Sequence, residues 1–441
     1  MPRSRRKVGI LVGGGPAPGI NSVIAAATIR AASEGYGVIG IDEGFNWIMQ
    51  GDTTHVKRLK IDEISRLHFR GGSVLGIARA NPTKDPQHLE NCVNALSQIG
   101  IDKLITIGGD DTAFSSMKLE DAAGGRLRVV HVPKTIDNDL DLPLGISTFG
   151  FQTARHMGAS MVKNLMTDAQ TTRRWYLVVS MGRKAGHLAL GIGKAAAATL
   201  TVIPEEFPGD TIRLSHIADI IAGGVIKRLA HGRRDGVAIL AEGLMERLDP
   251  RDLRQLETAE RDAYGNIRLG EIQFEPVVKK AVLDRLAQFG IKTTVTTVDI
   301  GYELRCAEPI PYDMEYTRDL GYCAAQFIIN GGTAAMVSIV NGHFKPLYFK
   351  DMVDPNTGLA KVRMVDVASE YYHIARRYMI RLNRSDFGLK KELAKYAGVC
   401  GITPEEFRKE FHYLVEKNLL YKVQDEEEQR KPWIEKIKAP F

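Results

Sequence analysis

Three short segments of the 441-residue chain carry residue types suited to handling phosphate. The first is Gly13-Gly14-Gly15-Pro16-Ala17-Pro18-Gly19-Ile20-Asn21-Ser22, set between the apolar run Lys7–Val12 and an alanine-rich stretch that ends near Ser33. Glycines after a strand let backbone N–H groups approach an anion, and a following helix turns the favourable end of its dipole toward it. The segment is not a Walker A loop, because Ile20-Asn21 follows Gly19 where Lys and Ser/Thr are required. It is not a dinucleotide fingerprint either, because its first glycines are consecutive and Pro16 and Pro18 interrupt it. A tight turn without a ligand is the plain alternative.

The second segment, Gly108-Gly109-Asp110-Asp111, follows the apolar run Lys103–Ile107. Carboxylates beside paired glycines suit a hard cation such as Mg²⁺ that bridges phosphates. Alternatively, Asp111 caps a helix beginning near Ala113. The third segment, Pro133 to Asp139, carries Lys134, Thr135, Asp137 and Asp139. A carboxylate beside a substrate hydroxyl serves as a general base, an ammonium is a point charge for phosphate, and a Thr hydroxyl donates to a phosphate oxygen. A polar turn is the alternative here. Together the segments supply a phosphate cradle, a metal carboxylate, a cation and a base. Those are the parts of a phosphoryl-transfer site, where catalysis is mostly positioning and charge neutralisation.

The elements that must position them alternate. Lys7–Val12, Val38–Asp42, Lys103–Ile107, Arg128–Val132, Trp175–Ser180, Val237–Ala241 and Thr294–Asp299 read as short buried strands. Helical spacing runs from Asn21, read as an N-cap, to Ser33, and over His88–Ile99, Thr112–Ala122 and Phe149–Met166, with another helix ending near Ala198. This pattern predicts a parallel α/β sheet covered on both faces, with ligands beyond the carboxyl ends of the strands. From about Asp366 the chain turns helical and charged, over Tyr371–Leu382, Lys390–Tyr396 and Pro404–Lys417, with a capping box at Thr403 and Glu406 and an acidic run at 425–428.

Composition excludes several classes. Hydrophobic residues make up 44% and charged residues 25%, ordinary for a globular chain and wrong for a disordered or collagenous one. The net charge is only +6 and spread along the chain, apart from Arg3, Arg5, Arg6 and Lys7, so no nucleic-acid partner is expected. Cys92, Cys306, Cys323 and Cys400 lie too far apart for a metal motif. No secretory leader is read ahead of the first strand, and no apolar run approaches the ~20 residues that span a bilayer. The expectation is a cytoplasmic protein with no membrane partner. Trp47, Trp175 and Trp433 read as packing residues.

At these segments the sequence resembles the phosphofructokinase family. The resemblance rests on Gly14-Gly15-Pro16-Ala17-Pro18-Gly19-Ile20-Asn21, Gly108-Gly109-Asp110-Asp111, Pro133–Asp139 and Met181-Gly182-Arg183, in the family's order. It extends through Gly301-Tyr302-Glu303-Leu304-Arg305 and Pro309-Ile310-Pro311-Tyr312-Asp313, covering roughly residues 7–345. It implies two Rossmann-like lobes with largely parallel sheets covered by helices, plus a helical C-terminal extension. The boundaries expected are 1–170 for a donor lobe, 171–365 for a sugar-phosphate lobe with chain exchange between the two, and 366–441 for the extension.

The activity implied is Mg²⁺-dependent transfer of a phosphoryl group to the 1-hydroxyl of fructose 6-phosphate. By motif position, Asp137 resembles the base, with Lys134 and Thr135 beside it in catalysis, and Asp110 resembles the metal carboxylate. Gly14, Gly15, Arg79, Asp111 and Lys134 resemble donor-binding positions. Thr135, Asp137, Asp139, Met181, Gly182, Arg183, Glu242, Tyr302 and Arg305 resemble sugar-phosphate positions. Arg174 resembles an arginine that reaches a neighbouring subunit, which implies a homodimer or homotetramer. ATP-using members usually carry Gly where this chain has Asp111 and Lys134, whereas pyrophosphate-using members resemble it at both. A second carboxylate obstructs a nucleotide's path, and Lys134 neutralises a compact, multiply charged donor. Met314 stands where an arginine often follows Tyr-Asp, and Cys306-Ala307 replaces a Gly-Gly pair.

Overall fold

The computed structural model describes residues 6–143, 145–254, 274–352 and 361–416. Arg3, Arg5, the acidic run 425–428, Trp433 and Lys417 at the end of the expected last helix lie outside the described residues. Twelve strands occur among those described: β1 (Lys7–Val12), β2 (Gly37–Ile41), β3 (Val56–Leu59), β4 (Ile101–Gly108), β5 (Arg128–Thr135), β6 (Phe149–Gly150), β7 (Trp175–Ser180), β8 (Leu200–Val202), β9 (Gly236–Ala241), β10 (Val295–Ile300), β11 (Ala335–Val340) and β12 (His343–Tyr348). The chain forms two compact units, Met1–Met157 with Gly301–Arg363, and Gly158–Ile300 with Met364–Phe441. The breaks fall after 157, 300 and 363, where the expected boundaries lay at 170 and 365, and the stretch from 366 groups with the second unit.

The first unit holds a sheet in the order β12-β11-β5-β4-β1-β2-β3, with β6 beside the end of β5. Its central neighbours run parallel, and only β3 and β12 pair antiparallel. Val8, Ile10 and Val12 of β1 pack with the helices Ile20–Ser33 and Pro311–Ile329. Leu11 faces the other way, into a cluster with Cys92 and Leu96 of the helix Pro86–Ile99 and Leu119 of the helix Asp110–Ala123. Each such side chain contributes about 1.5–3 kcal/mol on burial. A one-residue slip would swap the two faces, so the register is firmly set. In that register Val12 lies opposite Ile107, and Ile107 opposite Val132. The segments that leave these three strands therefore emerge side by side at the carboxyl edge.

Most expected elements are present with shifted ends. The first helix runs Ile20–Ser33 with Gly19 as its cap, so Asn21 is not the N-cap but a buried residue of the first turn. The helix after β4 begins at Asp110 with Gly109 as its cap, so Asp111 is not a cap either. The helix after β6 reaches from Phe151 to Thr172. Sequence reading missed β3, β8, β11 and β12 and the helices Leu214–Ala230, Phe274–Ala287 and Pro311–Ile329. In Leu214–Ala230 ten consecutive residues, Ile217 to Ile226, are buried, which erases the amphipathic period that marks a surface helix.

The second unit contains a wholly parallel sheet in the order β10-β7-β9-β8. All six residues of β7 are buried. The stretch after Asp366 folds as helices Glu370–Tyr378, Arg384–Gly388, Lys390–Cys400 and Pro404–Phe411, the last with the expected capping box. It is pinned to this unit by Arg381, 2% exposed, whose guanidinium donates to Glu206, 1% exposed, at 2.8 Å. The same guanidinium donates to the Thr201 carbonyl at 3.2 Å. Lys227 reaches Asp386 at 2.7 Å beside it.

Removing one member of a buried ion pair strands the other charge and costs about 3–5 kcal/mol. Arg381→Met is expected to lower the thermal midpoint of unfolding markedly. Adding Glu206→Leu to it should recover much of the loss. A single variant as stable as the wild type would show that this pair does not anchor the extension.

Candidate active site

In the first unit the glycine segment after β1 is held from two sides. Gly13 N–H donates to Ile107 O at 2.9 Å, and Gly14 N–H to Ala78 O at 3.2 Å. An isolated parallel bridge pairs Gly13 with Ala78, which places Arg79 alongside the loop. Asn21 secures the chain leading to Arg79. Its amide donates to Arg70 O and Gly71 O, both at 3.2 Å, and its oxygen accepts from Val74 N–H at 2.9 Å. Sequence reading cast Asn21 as a helix cap and missed this task.

Lys134, the penultimate residue of β5, is 4% exposed. Its ammonium donates to Gly15 O. A cation thus sits in the glycine loop, 3.4 Å from where a Cβ on Gly14 would lie. Arg305 closes on the same loop, and a Cβ on Gly15 would meet its guanidinium, which would have to swing aside. The Arg305 guanidinium also lies 5.2 Å from the ring centre of Tyr302, itself 73% exposed. The structure therefore brings Arg305 to the glycine loop.

Asp110 and Asp111 form the first turn of the helix after β4, where the helix dipole favours carboxylates. Thr112 follows them, and its buried side chain lies so close to Gly108 that a Cβ there would clash. Beneath this turn His131 of β5 is completely buried. Its Nε2 donates to Gly108 O at 3.0 Å, which leaves Nδ1 to accept from the Thr106 hydroxyl at 2.8 Å. Ser116 donates to Thr106 Oγ1 at 2.7 Å. Burial pushes the His131 imidazole down to about 3, and the nearby Lys134 ammonium acts in the same direction. Nothing in the sequence pattern marked His131, since a single histidine in a strand carries no signature.

Thr135 ends β5, and its hydroxyl accepts from Asp137 N–H at 3.0 Å. Asp137 and Asp139 are each 7% exposed. Asp313, from the helix Pro311–Ile329, is fully buried and accepts from Gly150 N–H at 3.0 Å and Thr153 N–H at 2.7 Å. It fixes the entry to the helix Phe151–Thr172. Met314, next to it, accepts from Ser22 Oγ through its carbonyl at 3.2 Å and brings no charge of its own.

In the second unit a separate group forms at the carboxyl ends of β7 and β9, where Ser180 pairs with Ala241. Met181 N–H donates to Ile300 O at 3.0 Å. Glu242 Oε1 accepts from Gly182 N–H at 3.1 Å and from Arg183 N–H. Met181, Gly182, Arg183 and Glu242 are thus brought together. Arg174 is not with them. It precedes β7 while Met181 follows it, and a six-residue strand separates its ends by about 20 Å. Arg174 lies 3.9 Å from Asp168, which also accepts the Tyr176 hydroxyl.

A family model described as phosphofructokinase matches residues 7–328. The chain belongs to the phosphofructokinase family. Among its relatives is a pyrophosphate–fructose 6-phosphate 1-phosphotransferase of Thermotoga maritima, 49% identical over 93% of this chain and 99% of that protein. A protein of the same name from Naegleria fowleri is 47% identical over 94% of this chain and 97% of its own length. A pyrophosphate-dependent phosphofructokinase structure from Marinobacter aquaeolei shares the fold, with a TM-score of 0.62 at 16% identity, covering 85% of this chain and 90% of its own.

Phosphofructokinases are phosphotransferases that generally use a divalent metal ion. Among the described residues no group of three or more His, Cys, Asp or Glu is arranged to enclose a metal. Asp110 and Asp111 place two carboxylates at the start of the helix after β4.

His131 makes stability depend on pH in a definite direction. Its pKa is about 3 in the folded chain and near the ordinary 6.5 when unfolded. Below pH 6.5 the unfolded chain takes up a proton that the folded chain refuses. The stabilisation is complete above 6.5 and falls toward pH 3, by up to about 1.4 kcal/mol per pH unit. Melting midpoints between pH 4 and 8 should show an acid-side loss in the wild type that is shallower in His131→Gln. Parallel profiles would refute the assignment.

Proposed function

We propose that this phosphofructokinase transfers a phosphoryl group from pyrophosphate to the 1-hydroxyl of fructose 6-phosphate, giving fructose 1,6-bisphosphate and phosphate. Donor and product phosphates are close in energy, so the reaction runs in both directions. The observation that carries the donor assignment is the Lys134 ammonium seated on the Gly15 carbonyl inside the glycine loop. It concentrates positive charge where a compact polyanion binds. Asp111 stands exposed in the neighbouring turn, where a nucleotide would need room. The names carried by the Thermotoga and Naegleria relatives support the same donor.

Asp137 accepts the proton of the 1-hydroxyl as that oxygen attacks the phosphorus, and phosphate leaves. Thr135 and Asp139 flank it. Gly14, Gly15 and Arg79 contact the donor, and Lys134 balances its charge. Asp110 is the carboxylate for Mg²⁺, which when bound neutralises phosphate charge. Met181, Gly182, Arg183 and Glu242 hold the sugar, and Tyr302 and Arg305 serve its 6-phosphate, since Met314 offers no charge. Arg174, remote from that group on β7, reaches a second copy of the chain, which makes the working enzyme a homodimer or homotetramer.

Bisphosphate formation from fructose 6-phosphate and Mg²⁺, with pyrophosphate in one assay and ATP in another, tests the donor directly. Turnover with pyrophosphate alone is expected. Turnover with ATP alone would overturn the donor assignment and leave the fold and base standing. In the Asp111→Gly/Lys134→Gly variant, kcat/KM for pyrophosphate should fall by roughly 10²–10³, the loss typical of removing a charge-stabilising donor. Unchanged pyrophosphate kinetics in that variant would show that these two side chains do not select the donor.

A further inference from the structure

The turn that carries Asp137 leaves the sheet and has no ladder to hold it. Asn138, the next residue, has φ of +59°, in the left-handed region that a side chain rarely adopts. Asparagine enters this region more readily than most side chains, and here partners on both sides hold it there. Part of the support is local. Thr148 N–H donates to Asn138 Oδ1 at 3.0 Å, and Thr148 Oγ1 donates to Thr135 O at 2.7 Å.

The larger part comes from Arg363, which is 225 residues away in the chain. Its Nε and Nη2 both donate to Asn138 O at 3.1 Å, and Nη2 donates also to Asn138 Oδ1. Its Nη1 donates to Ile146 O at 2.7 Å, and its backbone N–H to Asp139 O at 2.7 Å. Val362 forms an antiparallel bridge with Leu140, so the backbone here lies along the far side of the turn. One side chain thus ties both ends of the segment 138–146. Burial holds the guanidinium below its ordinary value, and Asp141 and Asp139 act in the opposite direction.

We propose that Arg363 is a positioning residue for phosphoryl transfer. It clamps the Asn138 turn and so sets the direction of the Asp137 carboxylate toward the acceptor hydroxyl. This rests on the reading of Asp137 as the base. Lysine cannot replace it, because three carbonyl and amide oxygens are met by one planar fork.

The test is steady-state kinetics on Arg363→Met, Arg363→Lys and Asp137→Asn. Misplacing a reacting group by about 1 Å costs on the order of 100-fold. Arg363→Met should therefore lose about that factor in kcat while KM for pyrophosphate and fructose 6-phosphate stays within about threefold. Arg363→Lys should remain well below wild type. Guanidinium ion at low millimolar concentration should restore part of the kcat of Arg363→Met and nothing in Asp137→Asn. Should Arg363→Met fail to fold, Arg363→Lys and Asn138→Gly, which keeps the backbone angle and removes the side-chain acceptor, carry the same expectation. Folded arginine variants with wild-type kcat overturn the proposal, as does a loss confined to thermal stability. If Asp137→Asn keeps wild-type turnover, the base assignment fails instead, whatever the arginine variants do.

Discussion

The register of β1, β4 and β5 is the constraint on which the first unit's candidate site depends. Val12, Ile107 and Val132 lie level with one another. The glycine loop, the Asp110 turn and the Lys134–Asp139 segment leave the sheet at that level. Parallel strands require that all three exits face the same edge, since each connection must cross back behind the sheet. The buried faces of β1 then forbid a slip, because Ile10 and Leu11 belong to opposite hydrophobic clusters. Hydrophobic packing that never touches a ligand thus decides which polar groups can meet.

Electrostatics at that edge follow from burial. Lys134 is nearly inaccessible, and a buried ammonium is costly unless it is matched. Its bond to the Gly15 carbonyl supplies one match. His131, on the same strand, is kept neutral by its burial and by that ammonium. It therefore acts as a fixed donor to Gly108 O and adds no charge of its own. One strand in this way presents an ammonium to the glycine loop and a neutral strut to the acidic turn.

Much of this was legible in the residues. Glycine runs and paired aspartates at strand ends are visible because few other roles demand those types together. The strands β1, β7 and β9 were visible because short apolar runs between turn residues have few alternatives. What escaped was of another kind. Asn21 looked like a cap because its type favours caps, yet tertiary contacts drew it to the chain at 70–74. Arg363 gave no local signal at all, because its partners lie at 138–146 and arginine is common in surface segments. Leu214–Ala230 lost its period through burial on every side. Local pattern reports what a residue does for its own segment, and these residues serve another.

That distinction describes how the functional loops are held. A loop at a strand end has spent its ladder hydrogen bonds, so its backbone groups must find partners elsewhere or face water. Here each finds a side chain from a distant segment. Lys134 takes the glycine loop, Asn21 the chain before Arg79, Arg363 the Asp137 turn, and Glu242 the Gly182-Arg183 turn. Each tie restricts the geometry of its connection. Phosphoryl transfer depends on positioning and charge placement, so restraints of this kind bear on it. The three glycine-loop and turn segments could be recognised from their own residues, but their geometry is owed to side chains that lie outside them.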